Sequence, residues 1–561
     1  MFERLLITEM MLGSGRSSSS NAQRVELSSL TVFVGPNNSG KSMALNEIYR
    51  WTQFQRSPHR LIVKEIKLTP LTQEEAEYTI SVYARKPGPE ESNVPRGNLL
   101  FLKRGGQDSN TREGFLNILT NPDRQLLQFG TLYLNNVTLN LGIENRAQIT
   151  QPKPFGDLRN PDPLNTLQNL FLDDFLKKRV QNILLRAFKK YFVIDPSSGQ
   201  FRISFADQPP ENPDDEKGLH ATALDYYKKA QSIETLSGGV KAYTGIIVEV
   251  FAGNTRVVLI DEPEAFLHPP LAQELGSEIA SLADEKKKSV FVATHSAHFV
   301  MGCLQSAASV DIVRLTYQNG VATSRVLKNA DLMKMMRDPL LRSTGVINAL
   351  FYEFVVVTES DSDRAFYQEI NQRLVKEGAV RGIPNCLFLN AQNKQTTRRI
   401  VKPLRELGIP TISIVDIDIL KEGGKIWSNY LESGFIPAID RQTFATTREA
   451  LHSYCKKNGL ELKSSGGIEA FDQFEKESAR NLLNRLAEYG LFVVQNGELE
   501  SWLKDLNVTS HKSDWLVDMF EKLGEDYSTS HYVKPGINDV WAFITAIRGW
   551  FSDTERRGMP E

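Results

Sequence analysis

The segment Gly35-Pro-Asn-Asn-Ser-Gly40-Lys41-Ser42 follows the apolar run Thr31–Val34 without a break. No other stretch restricts the fold as much. The pattern G-x-x-x-x-G-K-[ST] needs a strand to deliver it and a helix to leave from it. Its glycines let backbone N–H groups curl around phosphate oxygens at a helix N-terminus. Lys41 then reaches the β- and γ-phosphates, and the Ser42 hydroxyl is placed for Mg²⁺.

Three later segments extend this reading. Leu236-Ser237-Gly238-Gly239 opens a helix with the small Ala242 on its first turn, and Val257-Val-Leu-Ile260 is a buried-strand run ending in Asp261-Glu262. Val290-Phe-Val-Ala-Thr294 is another such run, ending in His295. Taken singly they are a turn, a core edge and a core histidine; in this order they resemble the ABC-type ATPases, whose signature motif is LSGG. The resemblance implies ATP bound by Gly35, Asn38, Gly40, Lys41 and Ser42. It makes Ser42 and Asp261 the Mg²⁺ ligands, Glu262 the base that orients water, and His295 the γ-phosphate sensor. Phosphoryl transfer needs that kind of positioning and charge neutralisation. In that family Ser237, Gly238 and Gly239 cap the nucleotide of the opposite subunit, so a homodimer or higher even-numbered oligomer is implied. Gln125, Gln128 and Gln148 all remain candidates for the glutamine-loop residue.

Val240 stands where transporters of that family usually carry Gln, and the stretch from Ser42 to Leu236 is too short for a coiled-coil arm. Asp261-Glu-Pro-Glu264-Ala-Phe-Leu267-His268-Pro269 resembles the D-E-P-E-x-x-L-H-P of compact ATPases that include the OLD (overcoming lysogenisation defect) nucleases.

A second α/β pattern begins at Phe354. Val355-Val-Val-Thr-Glu359-Ser-Asp361-Ser-Asp363 puts carboxylates just past an apolar strand, and Thr411-Ile-Ser-Ile-Val415 delivers Asp416-Ile-Asp418. Strand carboxyl ends in a parallel sheet face one crevice, and Mg²⁺ prefers oxygen ligands. The two segments resemble the E-G-x-x-D and D-x-D of the Toprim domain, with Ser360 in place of Gly. By this resemblance Glu359, Asp416 and Asp418 hold Mg²⁺ or Mn²⁺, with Asp363, Glu498 or Glu500 completing a two-metal site for phosphodiester hydrolysis. Lys534, in His531-Tyr-Val-Lys534-Pro, is the match for a lysine that neutralises the pentavalent phosphate.

The expected architecture is therefore α/β throughout. An ABC-type ATPase head spans 1–345, with an antiparallel side lobe and a helical dimerisation insert near 155–230, followed by a Toprim domain over 350–561. The side lobe is read from Leu61–Lys64, Tyr78–Tyr83 and Asn98–Leu102 as strands and Leu132–Ile143 as a hairpin; Ser14–Asn21 reads as a Gly/Ser loop. Length agrees: 561 residues fit three to four domains, or two large ones with insertions.

Composition narrows the partners. With 66 Lys+Arg against 68 Asp+Glu the net charge is −2, so the chain is no polycation, and a DNA partner needs a local basic surface. Lys394, Arg398, Arg399, Lys402 and Arg405, at helical spacing, read either as that surface or as an ordinary solvated face. Three dispersed cysteines fit a reducing compartment. The absence of a long apolar run and of a signal at Met1 predicts a cytoplasmic protein without membrane contact.

The resemblance as a whole identifies an OLD-family, ATP-regulated DNA endonuclease of anti-phage defence. Such proteins act alone, beside a helicase-like partner, or with a retron (a reverse transcriptase and its DNA–RNA product). Two rivals stand beside it: an ATP-driven DNA clamp or sensor with a non-cleaving Toprim scaffold, and a strand-passing enzyme with a nucleophilic tyrosine.

Overall fold

The computed structural model describes residues 4–13, 22–53, 60–103, 106–142, 144, 146–156, 158–159, 165–318, 320–378, 380–511 and 513–560. The Gly/Ser stretch Ser14–Asn21 lies outside them. The chain divides into two units at Asn329/Ala330, ahead of the position near 345 expected from the sequence.

In the first unit the described residues build a six-stranded sheet in the order Val321–Leu327, Val310–Gln318, Leu30–Val34, Ser289–Ala293, Val257–Asp261, Thr138–Leu141. Neighbours pair in parallel except for the antiparallel edge hairpin Val310–Gln318/Val321–Leu327. The middle strands read as unbroken apolar runs because helices cover both faces of such a sheet. Helix Lys41–Thr52 leaves directly from the loop after strand Leu30–Val34, and its Glu47 carboxylate accepts from the N–H groups of Leu61, Ile62 and Val63 at 2.7–3.0 Å. That fastens the helix to the antiparallel sheet Ala22–Glu26, Ile7–Gly13, Val63–Leu68.

Three local readings are corrected. Tyr78–Tyr83 lies within helix Gln73–Tyr83, started by a capping box between Thr72 and Glu75, a local signal that outweighs the β-favouring residues. Leu132–Ile143 is not a hairpin: a helical turn over Gly130–Val137 buries Leu132, Tyr133 and Leu134, and Thr138–Leu141 then joins the parallel sheet beside Val257–Asp261. The insert expected to be helical is mixed. Helices Thr166–Leu172, Asp174–Phe188 and Ala221–Lys229 flank an antiparallel sheet formed by Tyr191–Asp195, Gln200–Ala206 and Gln231–Ser232. Phe201, Ile203 and Phe205 alternate along its central strand at the strand period of two.

The second unit is built on a four-stranded parallel sheet, ordered Cys386–Asn390, Phe354–Thr358, Thr411–Asp416, Leu491–Val494. Alternate side chains feed opposite cores. Val356, Ile412, Ile414, Phe492 and Val494 pack with Phe366, Ile370 and Trp541 on one face. Val415, Leu491 and Val493 pack with Trp427, Leu451 and Leu482 on the other.

Candidate functional site

The Gly35–Ser42 loop is shaped so that two of its positions take only glycine. Gly35 has φ 148°, and a Cβ there would lie 2.1 Å from the Leu315 carbonyl oxygen. Gly40 has φ 94°, with a Cβ position 2.5 Å from Ile62 Cδ1, and Asn38 is left-handed at φ 61°. Successive N–H groups of such a turn can form an anion-binding concavity. The Lys41 ammonium folds over that loop, donating to the carbonyls of Gly35 (2.8 Å) and Pro36 (2.7 Å). Burial lowers its pKa to about 8, against the pull of Asp261, Glu262 and Glu264. Among the described residues no carboxylate pairs with this ammonium, so a phosphate could serve as its negative partner. Ser42 stands exposed on the first turn of the helix.

Asp261 ends its strand beside Ala293, and Glu262 follows in the left-handed region at φ 50°. Its carboxylate stands 3.9 Å from His295 Nε2. Burial, then the Lys41 charge, lowers the His295 pKa, so a neutral imidazole faces Glu262 at neutral pH. Ser237 caps helix Gly238–Ala252, accepting from Val240 N–H at 3.5 Å; Ser237 and Gly238 are exposed. Gly239 admits no side chain, since a Cβ would lie 2.5 Å from the Phe266 carbonyl oxygen.

Two residues here had no role from the sequence. Glu264 accepts from His295 N–H at 2.8 Å and is raised in pKa by burial, with Oε2 buried and unpartnered. Arg146, only 4% exposed, donates to the Asp261 carbonyl while its Nε and Nη1 are buried without partners. It opens the helical turn Arg146–Ile149, which also carries Gln148, just after the strand beside Asp261. Gln125 and Gln128 lie before that strand, at the start of the helical turns.

In the second unit Glu359, Asp416 and Asp418 converge at the carboxyl ends of two adjacent strands, each offering an oxygen within 4.8 Å of the others. Glu359 Oε1 accepts from Asp416 N–H at 2.9 Å, and Asp418 Oδ1 is buried with no partner. Burial first, then the neighbouring Asp416, pushes the Glu359 carboxyl up to about 8; burial pushes Asp416 up to about 6. Packing acids this closely is costly without a cation, and hard oxygen donors with one orphaned oxygen fit a divalent ion.

The other acids divide. Asp363 accepts from Ser360 N–H and Oγ, both at 2.9 Å, in a capping box that starts helix Asp361–Lys376; burial raises its pKa. Ser360 has φ −132°, so a serine at this position is under no backbone strain. Glu498 is reached by Lys463 at 3.5 Å, whereas Glu500 faces His511 at 3.3 Å. Lys534 is exposed, 5.6 Å over the Tyr527 ring, and no contact with the acids is found for it. The lysines that do touch the acids are Lys463, 2.7 Å from Asp416, and Lys394, 2.9 Å from Asp418 and 3.1 Å from Glu422.

Most of the basic stripe is engaged within the chain. Arg398 pairs with Glu432 and Asn429, Arg399 with Asp338, and Arg405 is fully buried, donating to the carbonyls of Thr411, Gly490 and Gly558. With Lys394 also engaged, Lys402 is the one stripe residue with neither an ion pair nor a side-chain hydrogen bond among the described residues.

No helix among the described residues is long and apolar enough to cross a membrane. No curated protein matches the chain. Among solved structures it is similar to an SMC head bound to the C-winged helix domain of ScpA, at 16% identity over 59% of this chain and 99% of that one, TM-score 0.34. An SMC head domain from Thermotoga maritima is 14% identical over 58% of this chain and 100% of that one, TM-score 0.29. Residues 96–301 match the family described as "AAA domain, putative AbiEii toxin, Type IV TA system". That match takes in Ser237–Gly239, Asp261, Glu262 and His295, and it shows that the chain carries an AAA-type ATPase domain.

Proposed function

We propose that the chain is an ATP-regulated, metal-dependent DNA endonuclease of the OLD type, cytoplasmic and active in anti-phage defence. One observation supports this above others: Glu359, Asp416 and Asp418 meet at strand ends in a chain that also carries an ATPase domain.

In the ATPase domain Lys41 leaves the loop carbonyls for the β- and γ-phosphates, Asp261 and Ser42 hold Mg²⁺, and Glu262 orients water. His295, neutral and backed through its N–H by Glu264, donates to the γ-phosphate. Ser237, Gly238 and Gly239 complete the nucleotide site of a second copy in a homodimer. In the second unit Glu359, Asp416 and Asp418 hold a divalent ion, Mg²⁺ or Mn²⁺. Bound there, such an ion lowers the pKa of water and neutralises developing charge on a phosphodiester. The chain's own share is to hold the three carboxylates in one geometry through the Glu359–Asp416 N–H bond and to present lysine ammonium groups to the phosphate. A helicase-like or retron partner belongs to the same proposal, as the source of the activating signal.

The test is to incubate the purified protein with supercoiled and linear DNA in Mg²⁺ or Mn²⁺, with and without ATP, beside Asp416→Ala. Cleavage by the wild type and none by the variant is the expected result. Intact DNA in every lane, with ATP binding retained, leaves the clamp reading and a nuclease held off until its partner arrives, which co-purification separates. A covalent protein–DNA adduct favours the strand-passing reading.

A further inference from the structure

Glu359, Asp416 and Asp418 form a socket for one cation, and Asp363 and Glu498 do not join it. One Asp363 oxygen is occupied by the Ser360 N–H and hydroxyl. In the space between Asp416 and Glu498 lies the ammonium of Lys463, 2.7 Å from Asp416 Oδ2 and 3.5 Å from Glu498 Oε2.

That ammonium does not come from a loose loop. Gly467 has φ 68°, and a Cβ there would lie 1.9 Å from the Gln495 carbonyl oxygen. Gly497 has φ 123°, with a Cβ position 2.6 Å from the Lys463 carbonyl oxygen. Ile468 N–H donates to that same Gln495 carbonyl, and Gly467 N–H to Leu462, both at 2.9 Å. The segment holding Lys463 and the segment holding Glu498 are thus pressed together at two points where only glycine fits. Lys394, by contrast, bridges Asp418 to Glu422, which lies outside the acid cluster.

We propose that Lys463 is the resident second cation of this site. The chain binds one divalent ion at Glu359–Asp416–Asp418 and uses a tethered ammonium where two-ion phosphodiesterases place the other. Two such ions lie about 3.5–4 Å apart and share a carboxylate; here Asp416 is shared between the socket and Lys463. An ammonium has three donors. Asp416 takes one at 2.7 Å, Glu498 attracts a second as an ion pair at 3.5 Å, and the third is directed to a phosphate oxygen of the DNA. Use of that third donor rests on the nuclease reading, whereas the ion count does not.

The test counts Mn²⁺ ions bound by the full chain without nucleotide or DNA, by calorimetry and by the loss of the free-ion paramagnetic signal. The expected counts, above the baseline set by Asp418→Asn, are one ion for the wild type, one for Lys463→Arg and two for Lys463→Met. Two ions on the wild type, or one on a Lys463→Met protein that still binds ATP and melts cooperatively, overturn the proposal. If Lys463→Met fails to fold, the wild-type and Lys463→Arg counts decide. Where the wild type cleaves DNA, Lys463→Met is expected to lose about 100-fold in rate at saturating Mn²⁺. A protein that cleaves nothing but keeps these counts leaves the resident cation in place while the nuclease reading loses its support from the isolated chain.

Discussion

At Glu359 burial and a neighbouring carboxylate both oppose the charged form, and the consequence has a definite sign. Its pKa is raised from the ordinary 4.5 to about 8, so the folded chain holds a proton that the unfolded chain releases. Without a divalent ion, stability therefore falls as pH rises from about 4.5 to about 8. Melting the metal-free protein across that range, beside Glu359→Gln, tests this: the wild-type midpoint drops with pH and the Gln variant gives a flatter profile. Protons and metal compete for the same oxygens, so Mn²⁺ affinity at the socket should climb through this window and level off above it. In the ATPase domain Lys41→Ala should abolish ATP binding, and Glu262→Gln should bind ATP but hold it in a stable dimer; filtration with labelled ATP and light scattering read the two effects. Glu359, Asp416 and Asp418 were legible because strand-end acids in a parallel sheet share one crevice. Lys463 was not, since it enters from a loop between two helices, and nothing near it in sequence announces a partner. Arg398 and Arg399 stayed open between two readings for the converse reason: helical spacing shows where charges lie, not that Glu432 and Asp338 answer them.

Between elements, the closest packing is carried by small residues that sequence patterning passes over. Helices Pro269–Glu285 and Ala297–Gln305 meet at Gly276 and Gly302. A Cβ on Gly302 would lie 1.9 Å from the Gln273 carbonyl oxygen, and one on Gly276 2.3 Å from that of Phe299. Gly→Ala inside a helix gains about 1 kcal/mol of propensity, while forcing atoms into a packed interface costs about 1–3 kcal/mol. At Gly302 the clash is with backbone, which cannot rotate away, so the cost wins and Gly302→Ala destabilises. Gly549, in helix Val540–Ser552, has nothing within 4 Å of its Cβ position, so Gly549→Ala should stabilise by up to about 1 kcal/mol. Urea unfolding of the two variants should shift the midpoint in opposite directions. Strands that carry the sites were readable as apolar runs, and helices with strong caps were readable in principle. Thr72 and Glu75 mark the start of Gln73–Tyr83, but the β-favouring Tyr78-Thr-Ile-Ser-Val-Tyr run masked them.

For the whole molecule, an AAA-type ATPase domain and an acid cluster with its own lysines lie on one chain that divides at Asn329/Ala330. If the nucleotide state gates DNA handling, the two activities are linked by a coupling free energy, and linkage makes that coupling reciprocal. The prediction is quantitative in form. Whatever factor a non-hydrolysable ATP analogue applies to DNA affinity, saturating DNA must apply to analogue affinity, each measured at equilibrium in Ca²⁺ so that no DNA is cut. Couplings of this kind typically amount to about 1–3 kcal/mol, or about 5–150-fold. Lys41→Ala should erase the DNA-side effect by removing the nucleotide, whereas Asp416→Ala should leave ATP affinity in the absence of DNA unchanged. A factor of one in both directions would make the ATPase and the acid cluster independent activities on one chain. Equal factors different from one that vanish with Lys41→Ala would establish that nucleotide occupancy sets the state in which DNA is held.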